Sequence, residues 1–411
     1  MARVESLGRA YYKQQDADIY QANETCLDMT LNHYGQARGV KIVKGGTVIA
    51  CILALCLPVI QMQFEIFSIS PVAENRTKAK KPSNWRALLQ PNSSFSSDYD
   101  RYFNDNFGLR DFLIRVKNQF DYSLFGFSSQ VHIGPNGWLF YKDTYETTVM
   151  NLERLRPSMA TLISRMRRLR DNLSARGMTL VVIPCPMKTT IYPEELPKLN
   201  IHLPAISAFD EYRDFLREEP GIISLDVVGQ MIALKEKMPV YHRTDFHWND
   251  PAAAYVLNDL LTALEKASGI TVSKKPRIDA RIDKKTGGGE INSLAVFWPP
   301  YENMLMLAKA PYTSEGTMVD SGRSNQWAYT ARDPTDQSLI PATVIFGDSF
   351  SDAFLRAGFI GRFREIRKFY NLEFKEKFKE IPSDTKFVIL EHIESNLGSM
   401  LLDSYWPEDL R

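Results

Sequence analysis

Three short apolar runs constrain this chain most: residues 178–184 (MTLVVIP), 342–346 (ATVIF) and 386–393 (KFVILEHI). A strand that is apolar on both faces has to be covered from both sides, which is how strands of a buried parallel sheet read. Helical patterns lie between the runs. Residues 157–176 form one, with Pro157 in its first turn and Gly177 as its stop. Residues 206–218 form another, and 221–228 read as a further strand. A helix over 250–267 can be N-capped by Asn249 or Asp250, with Pro251 in its first turn. Residues 350–367 read as one helix. The alternation predicts an α/β fold, a doubly wound parallel sheet flanked by helices. Such sheets form their sites at the carboxyl ends of the strands.

Residues 45–64 (GGTVIACILALCLPVIQMQF) carry no charge and lie between Lys44 and Glu65. About 20 residues at helical rise span a hydrocarbon core. One transmembrane helix is therefore expected, against the alternative of a buried core helix. Pro58 is tolerable, because a membrane helix re-satisfies a freed carbonyl locally. The 44 residues before the run are too long for the charged lead of a signal peptide. Arg38, Lys41 and Lys44 sit immediately before it, closer than Arg76, Lys78, Lys80, Lys81 and Arg86 after it, which favours a cytoplasmic N-terminus. The expected organisation is an N-terminal segment 1–44, with an amphipathic helix around 22–34, a transmembrane helix 45–64, a linker 65–98 and a catalytic domain 99–411.

Composition narrows the function classes. The 411 residues hold 50 Lys and Arg against 49 Asp and Glu, a formal net charge of +1. That is not the basic excess of a nucleic-acid binder. Cys26, Cys51, Cys56 and Cys185 fit no zinc or CxxC spacing. Cys51 and Cys56 fall within the apolar run, where cysteine acts as a small hydrophobe. Cys185 is then alone downstream, so no disulfide framework is expected.

Two motifs carry chemistry. Gly347-Asp348-Ser349-Phe350 follows an apolar strand and precedes a helical pattern. A serine there sits where free helix N–H groups can stabilise an oxyanion, and it needs a base to become a nucleophile. On the motif alone, Ser349 or Ser351 serves equally well as a helix cap. Asp245-Phe246-His247-Trp248 is the second motif. In an extended segment, residues i and i+2 face the same way. Asp245 can then fix the His247 tautomer and free the other ring nitrogen as a base. A structural His–Asp pair and a metal site are the alternatives. No third ligand stands at a convincing spacing for the latter.

At these residues the chain resembles the SGNH-like acyltransferases of bacterial exopolysaccharide O-acetylation, the alginate O-acetyltransferase AlgJ/AlgX type. Further segments match in order: 102–114 (YFNDNFGLRDFLI), 134–141 (GPNGWLFY), 183–194 (IPCPMKTTIYPE), 243–250 (RTDFHWND), 344–350 (VIFGDSF) and 388–397 (VILEHIESNL). The resemblance covers roughly residues 99–400. It implies an SGNH-hydrolase-like domain of permuted order, in which the Asp–His pair precedes the serine. It further implies Ser349 as the nucleophile carrying the acetyl group, His247 as general base and Asp245 as its orienting acid. Asn292, Trp248 and Tyr192 are assigned to oxyanion or substrate binding, and Trp138, Trp248 and Trp298 can stack on sugar rings. Two departures stand out: Glu394-Ser395 replaces the family's Glu-Arg, and Asn292-Ser293-Leu294-Ala295 replaces its Gly-Asp-Leu-Ala. Gly287 to Gly289 read as loop flexibility.

The resemblance implies an extracytoplasmic O-acetyltransferase acting on a secreted polysaccharide, without cofactor or metal. Its domain would lie in the periplasm, anchored to the inner membrane, with a multi-spanning membrane acyltransferase as acetyl donor. No carbohydrate-binding module is expected after the domain, as in AlgJ rather than AlgX. An acetylesterase using the same triad and a non-catalytic glycan-binding subunit are the alternatives.

Overall fold

The structure is a computed structural model. It describes residues 38–72, 76–83, 93–142, 153–154, 156–198, 206–272, 278, 280–285, 288–307, 316–320 and 326–410. The amphipathic helix expected around 22–34 lies outside the described residues, as do Gly287 and parts of the linker. In chain order the longer helices are α1 (Arg38–Phe64), α2 (Phe95–Asn106), α3 (Arg110–Phe125), α4 (Met159–Ala175), α5 (Ala208–Glu218), α6 (Val227–Lys235) and α7 (Asp250–Ser268). The strands are β1 (Val131–Ile133), β2 (Leu139–Tyr141), β3 (Thr179–Cys185), β4 (Ile222–Ser224), β5 (Ala280–Lys285), β6 (Glu302–Leu307), β7 (Gly316–Asp320), β8 (Trp327–Ala331), β9 (Thr343–Gly347), β10 (Glu365–Tyr370) and β11 (Phe387–Ile393).

Contacts divide the chain into two units. One holds α1, α2 and the start of α3 as far as Leu113, and the other runs from Ile114 onward. In the first unit, residues 47–64 form a helix long and apolar enough to cross a membrane. Its side chains are largely exposed, Leu55 to 78%. The segment after it is pinned: Arg76 Nη1 and Nη2 donate to both Asp105 oxygens, at 2.8 and 2.6 Å.

The second unit is built on a seven-stranded sheet of order β4-β3-β11-β9-β10-β8-β7. The first five strands are parallel, and β8 runs antiparallel to both of its neighbours, β10 and β7. The sheet is therefore mixed rather than wholly parallel. The central strands are the three apolar runs, and β3, β9 and β11 are buried almost throughout. Helix α4 covers them with Leu162, Met166, Leu169 and Leu173, one buried stripe at helical spacing. Helix α5 starts on a reciprocal capping box between Ser207 and Asp210. Helix α7 starts at Asn249, whose side chain accepts the Ala252 N–H at 2.9 Å, and ends at Gly269 in the left-handed region, φ 72°.

Two sequence expectations are corrected. Residues 350–367 do not form one helix. A turn at Ser349–Ser351, the short helix Asp352–Arg356 and a turn at Ile360–Arg362 lead into β10. Gly358, at φ 75°, breaks the helical path. The strand expected over 221–228 stops at Ser224, and Asp226 caps α6 by accepting the Gly229 N–H.

Candidate active site

Strands β3, β9 and β11 run in parallel register, Leu390 beside Phe346 and Ile393 beside Cys185. Their carboxyl ends therefore meet on one edge, and Ser349 sits just past the end of β9. The sequence motif needs its glycine there: a Cβ on Gly347 would lie 2.5 Å from Ser351 Oγ and 2.9 Å from Glu391 Oε2. Asp348, not a serine, caps the following turn, accepting the Phe350 N–H on Oδ1 at 2.9 Å. Ser351 Oγ instead donates to Asp348 O at 2.7 Å. The Ser349 hydroxyl is thereby left for another partner.

That partner is His247. Ser349 Oγ and His247 Nε2 are 2.8 Å apart, and His247 Nδ1 and Asp245 Oδ1 are 2.6 Å apart. The Asp245 carboxyl is subject to burial, which raises its pKa, but its hydrogen bonds and charge interaction with His247 win and hold it at about 2, below its ordinary 3.8. A carboxylate on Nδ1 means that Nδ1–H donates and Nε2 accepts the serine hydroxyl. Exposure rises along the chain of bonds: the Asp245 side chain is 13% exposed and that of His247 28%, with Ser349 also half-buried.

Proximity of Asp245 and His247 comes from a turn, not from an extended strand. Residues 240–249 form a narrow loop closed by His242 N–H to His247 O (3.2 Å) and Asn249 N–H to Val240 O (3.0 Å). Within it Asp245 Oδ1 also accepts the His247 backbone N–H at 2.9 Å. This is an Asx-type turn, in which one carboxylate oxygen holds both backbone and ring. The imidazole lies between Phe246 and Phe350, with ring centroids 3.9 and 5.2 Å away.

Several buried groups to which no role is assigned from sequence fix these loops. Glu302 on β6 accepts the N–H groups of Arg243 (2.6 Å) and Thr244 (2.9 Å) and the Thr244 hydroxyl. Asp348 Oδ2 accepts from Ile393 N–H (2.9 Å), Asn396 Nδ2 (3.0 Å) and Asn371 Nδ2 (3.3 Å). Glu391 Oε2 accepts the Asp348 N–H at 2.9 Å, and its burial raises its carboxyl well above the ordinary value. Glu394 accepts from Met187 N–H (2.9 Å) and Thr190 Oγ1 (2.6 Å). No spacing rule could have found these residues, because their partners are remote in sequence.

Two assigned residues are not placed to touch substrate. Trp248 is 1% exposed, and its indole N–H donates to Phe350 O at 3.1 Å, tying the histidine loop to the serine turn. Tyr192 is 6% exposed. Its hydroxyl oxygen accepts the Val240 N–H at 3.0 Å, and its ring packs on Trp138 with centroids 4.4 Å apart. Both are packing residues, because large rings at a strand-end core are buried by their neighbours. Asn292 is exposed on the helical turn Glu290–Leu294, and among the described residues no hydrogen bond joins it to Ser349, His247 or Asp245. Trp298 is 74% exposed.

A family model described as SGNH hydrolase-like domain, acetyltransferase AlgX, matches residues 131–361, more than half of the chain. The chain belongs to this family. The match contains Asp245, His247 and Ser349, and the mixed sheet is an SGNH-like α/β fold. The probable alginate O-acetylases AlgJ of Pseudomonas aeruginosa and of Pseudomonas syringae pv. tomato are each 24% identical over 217 residues, 52% of this chain and 54% of theirs. The chain thus spans about half the length of these relatives. Among solved structures, the O-acetyltransferase domain of Pseudomonas putida AlgJ matches with a TM-score of 0.44 at 17% identity, over 65% of this chain and 92% of that one. Bacillus cereus PatB1 matches with 0.45 at 12% identity, over 61% and 92%.

Proposed function

We propose that this member of the AlgX-type family is an O-acetyltransferase that moves acetyl groups onto hydroxyls of a secreted polysaccharide. The observation that carries the reading is the continuous hydrogen-bonded chain Ser349–His247–Asp245. Ser349 Oγ attacks the carbonyl of an acetyl donor while its proton passes to His247 Nε2. The donor's leaving group takes that proton, and acetyl-Ser349 remains. A sugar hydroxyl then attacks the ester, giving its proton to His247, which returns it to Ser349 Oγ as the C–O bond breaks. Asp245 keeps the imidazole oriented and balances its charge in both steps.

The Ser349 N–H, at the start of its turn, is the proposed oxyanion donor. The Phe350 N–H is already taken by Asp348. Asn292 is a second candidate, from the turn that begins beside Asp245. Trp298 is the proposed sugar-stacking residue, because it presents an open ring while Trp248 does not. In this reading α1 is a single-pass inner-membrane anchor, with residues 1–44 cytoplasmic and the catalytic domain, proposed as 99–411, in the periplasm. Its 27 residues make a helix of about 40 Å, enough for the hydrocarbon core. A multi-spanning membrane acyltransferase is the proposed donor.

The test is to incubate the detergent-solubilised full chain with an activated acetyl ester and an oligosaccharide. Acetyl on Ser349 and on the sugar is expected, and neither in Ser349→Ala. Free acetate without acetylated sugar would make the protein an esterase and sink the transferase reading.

A further inference from the structure

The loop that carries Asp245 is held from beneath by an ion pair that touches neither His247 nor Ser349. Lys188 starts the helical turn Lys188–Ile191 after β3 and is 3% exposed, and Glu290 is fully buried. Lys188 Nζ donates to Glu290 Oε1 at 2.8 Å and to the backbone carbonyl of Asp245 at 3.0 Å. The carbonyls of His242 and Arg243 lie 3.4 Å from it. An ammonium has three protons, so these four acceptors saturate it. The faces of Phe140 and Trp138 stand 5.1 and 5.9 Å away and close the pocket.

Glu290 reaches the same acid from the other side. It begins a turn immediately after Gly288 and Gly289. A Cβ on Gly288 would sit 3.0 Å from Asp245 Oδ2, and one on Gly289 3.2 Å from it, with Gly289 at φ 52°. The close approach of this backbone to the carboxylate leaves little room for a side chain, and the positive φ of Gly289 favours glycine. The base of Lys188 is fixed in turn, since Glu394 accepts the Met187 N–H and the Thr190 hydroxyl. Among the described residues Glu290 Oε2 has no hydrogen-bond partner, and burial raises the Glu290 carboxyl to about 7 despite Lys188. A buried charge pair is a costly way to gain stability, because desolvation offsets its attraction. What this one does is fix three separate chain segments, at Lys188, His242–Asp245 and Glu290, around one carboxylate.

We propose that Lys188, braced by Glu290, is a positioning residue for Asp245: it holds the backbone of the acid in the register that lets Oδ1 meet the His247 ring. The inference rests on the acyl-transfer reading of Ser349, His247 and Asp245. Its role runs through Asp245, and it moves no proton itself. Loss of the brace leaves the Asx turn free to shift, and a displacement of about 1 Å costs roughly a hundredfold in rate.

The experiment compares the full-length chain with the double variant Lys188→Met/Glu290→Gln, which removes both charges while keeping volume, so that no buried charge is stranded. An activated acetyl ester serves as probe, and the acetyl carried by Ser349 is read by mass against time at a series of ester concentrations. The double variant is expected to acetylate Ser349 roughly ten- to a hundredfold more slowly, with the half-saturating ester concentration within about twofold. Melting of the same samples gives the folded fraction. Equal rates per folded molecule, or a rate loss no larger than the loss of folded protein, would overturn the proposal. A wild-type chain that takes no acetyl on Ser349 would instead overturn the underlying reading, and the brace with it.

Discussion

Asp348→Asn tests how the serine turn is built. The substitution changes almost no volume but removes one of two acceptor oxygens. In the native turn Oδ1 accepts the Phe350 N–H, and Oδ2 accepts from Ile393, Asn396 and Asn371. The best orientation of an asparagine keeps its oxygen on the three donors and turns its NH₂ toward the Phe350 N–H. Two donors then face each other in a site where Asp348 is 4% and Phe350 0% exposed. One charge-assisted bond is lost, about 1.5–3 kcal/mol, and a buried donor is stranded, about 1–3 kcal/mol. The sum is roughly 2.5–6 kcal/mol. At about 2 °C per kcal/mol for a unit of this size, melting is expected to fall by roughly 5–12 °C. Ser349 adjoins the displaced residue, so acylation per folded molecule is expected to fall as well. Thermal unfolding by near-UV circular dichroism, paired with mass measurement of Ser349 acetylation, reads both effects. An Asp348→Asn variant that melts within about 1 °C of wild type and acylates at the same rate would refute the four-bond account.

Other outcomes follow from the same geometry. Ser349→Ala is expected to abolish covalent acetylation, and Asp245→Asn to slow it by about 10³–10⁴ through the wrong imidazole tautomer; a slowing under tenfold would contradict the orienting role. The two tryptophans are expected to behave oppositely. Trp248→Ala should destabilise by about 3–5 kcal/mol, whereas Trp298→Ala should raise the KM for oligosaccharide and leave melting and small-ester acylation unchanged. Glu394 gives a pH test. Burial raises its carboxyl from 4.5 to about 7, partly offset by the Met187 N–H and Thr190 hydroxyl. The native chain thus keeps a proton that the unfolded chain sheds near 4.5, and stability falls as pH rises from about 4.5 to 7. Glu394→Gln removes that loss, so its melting advantage should be absent near pH 4 and reach up to about 3 kcal/mol by pH 8. A gap independent of pH would rule the explanation out.

What is legible in the sequence is what is local. Strands β3, β9 and β11 stand out because a strand buried on both faces has no polar side to blur it. Helix α7 is bounded by its own Asn249 and Gly269. Asp245, His247 and Ser349 are readable because each sits in a short motif beside a strand or turn. Strand β10 (EIRKFY) escapes a sequence reading because one of its buried positions is the charged Lys368, which interrupts the apolar face beside Ile366. Its Lys368 is buried beneath the serine turn, where Nζ donates to Asp348 O at 2.8 Å and to Asp352 Oδ1.

The residues that sequence could not supply share one property. Lys188 with Glu290, Thr244 with Glu302, and Asp348 with Ile393 are pairs separated by 102, 58 and 45 positions. Each joins a loop to a different strand end, and each is a buried polar group whose desolvation is offset only by a partner the fold delivers. The same reasoning explains the corrections at Trp248 and Tyr192. An aromatic beside a catalytic motif can face substrate or pack beneath the loop, and local spacing is identical in the two cases. Here the loop needs a bond from Trp248 Nε1 to Phe350 O to keep the His247 ring over the serine turn. The geometry of the site is therefore set by side chains that never reach the reacting atoms. A transplant of Asp245, His247 and Ser349 alone onto another sheet would carry the motif without the 2.6 and 2.8 Å bonds that give it chemistry.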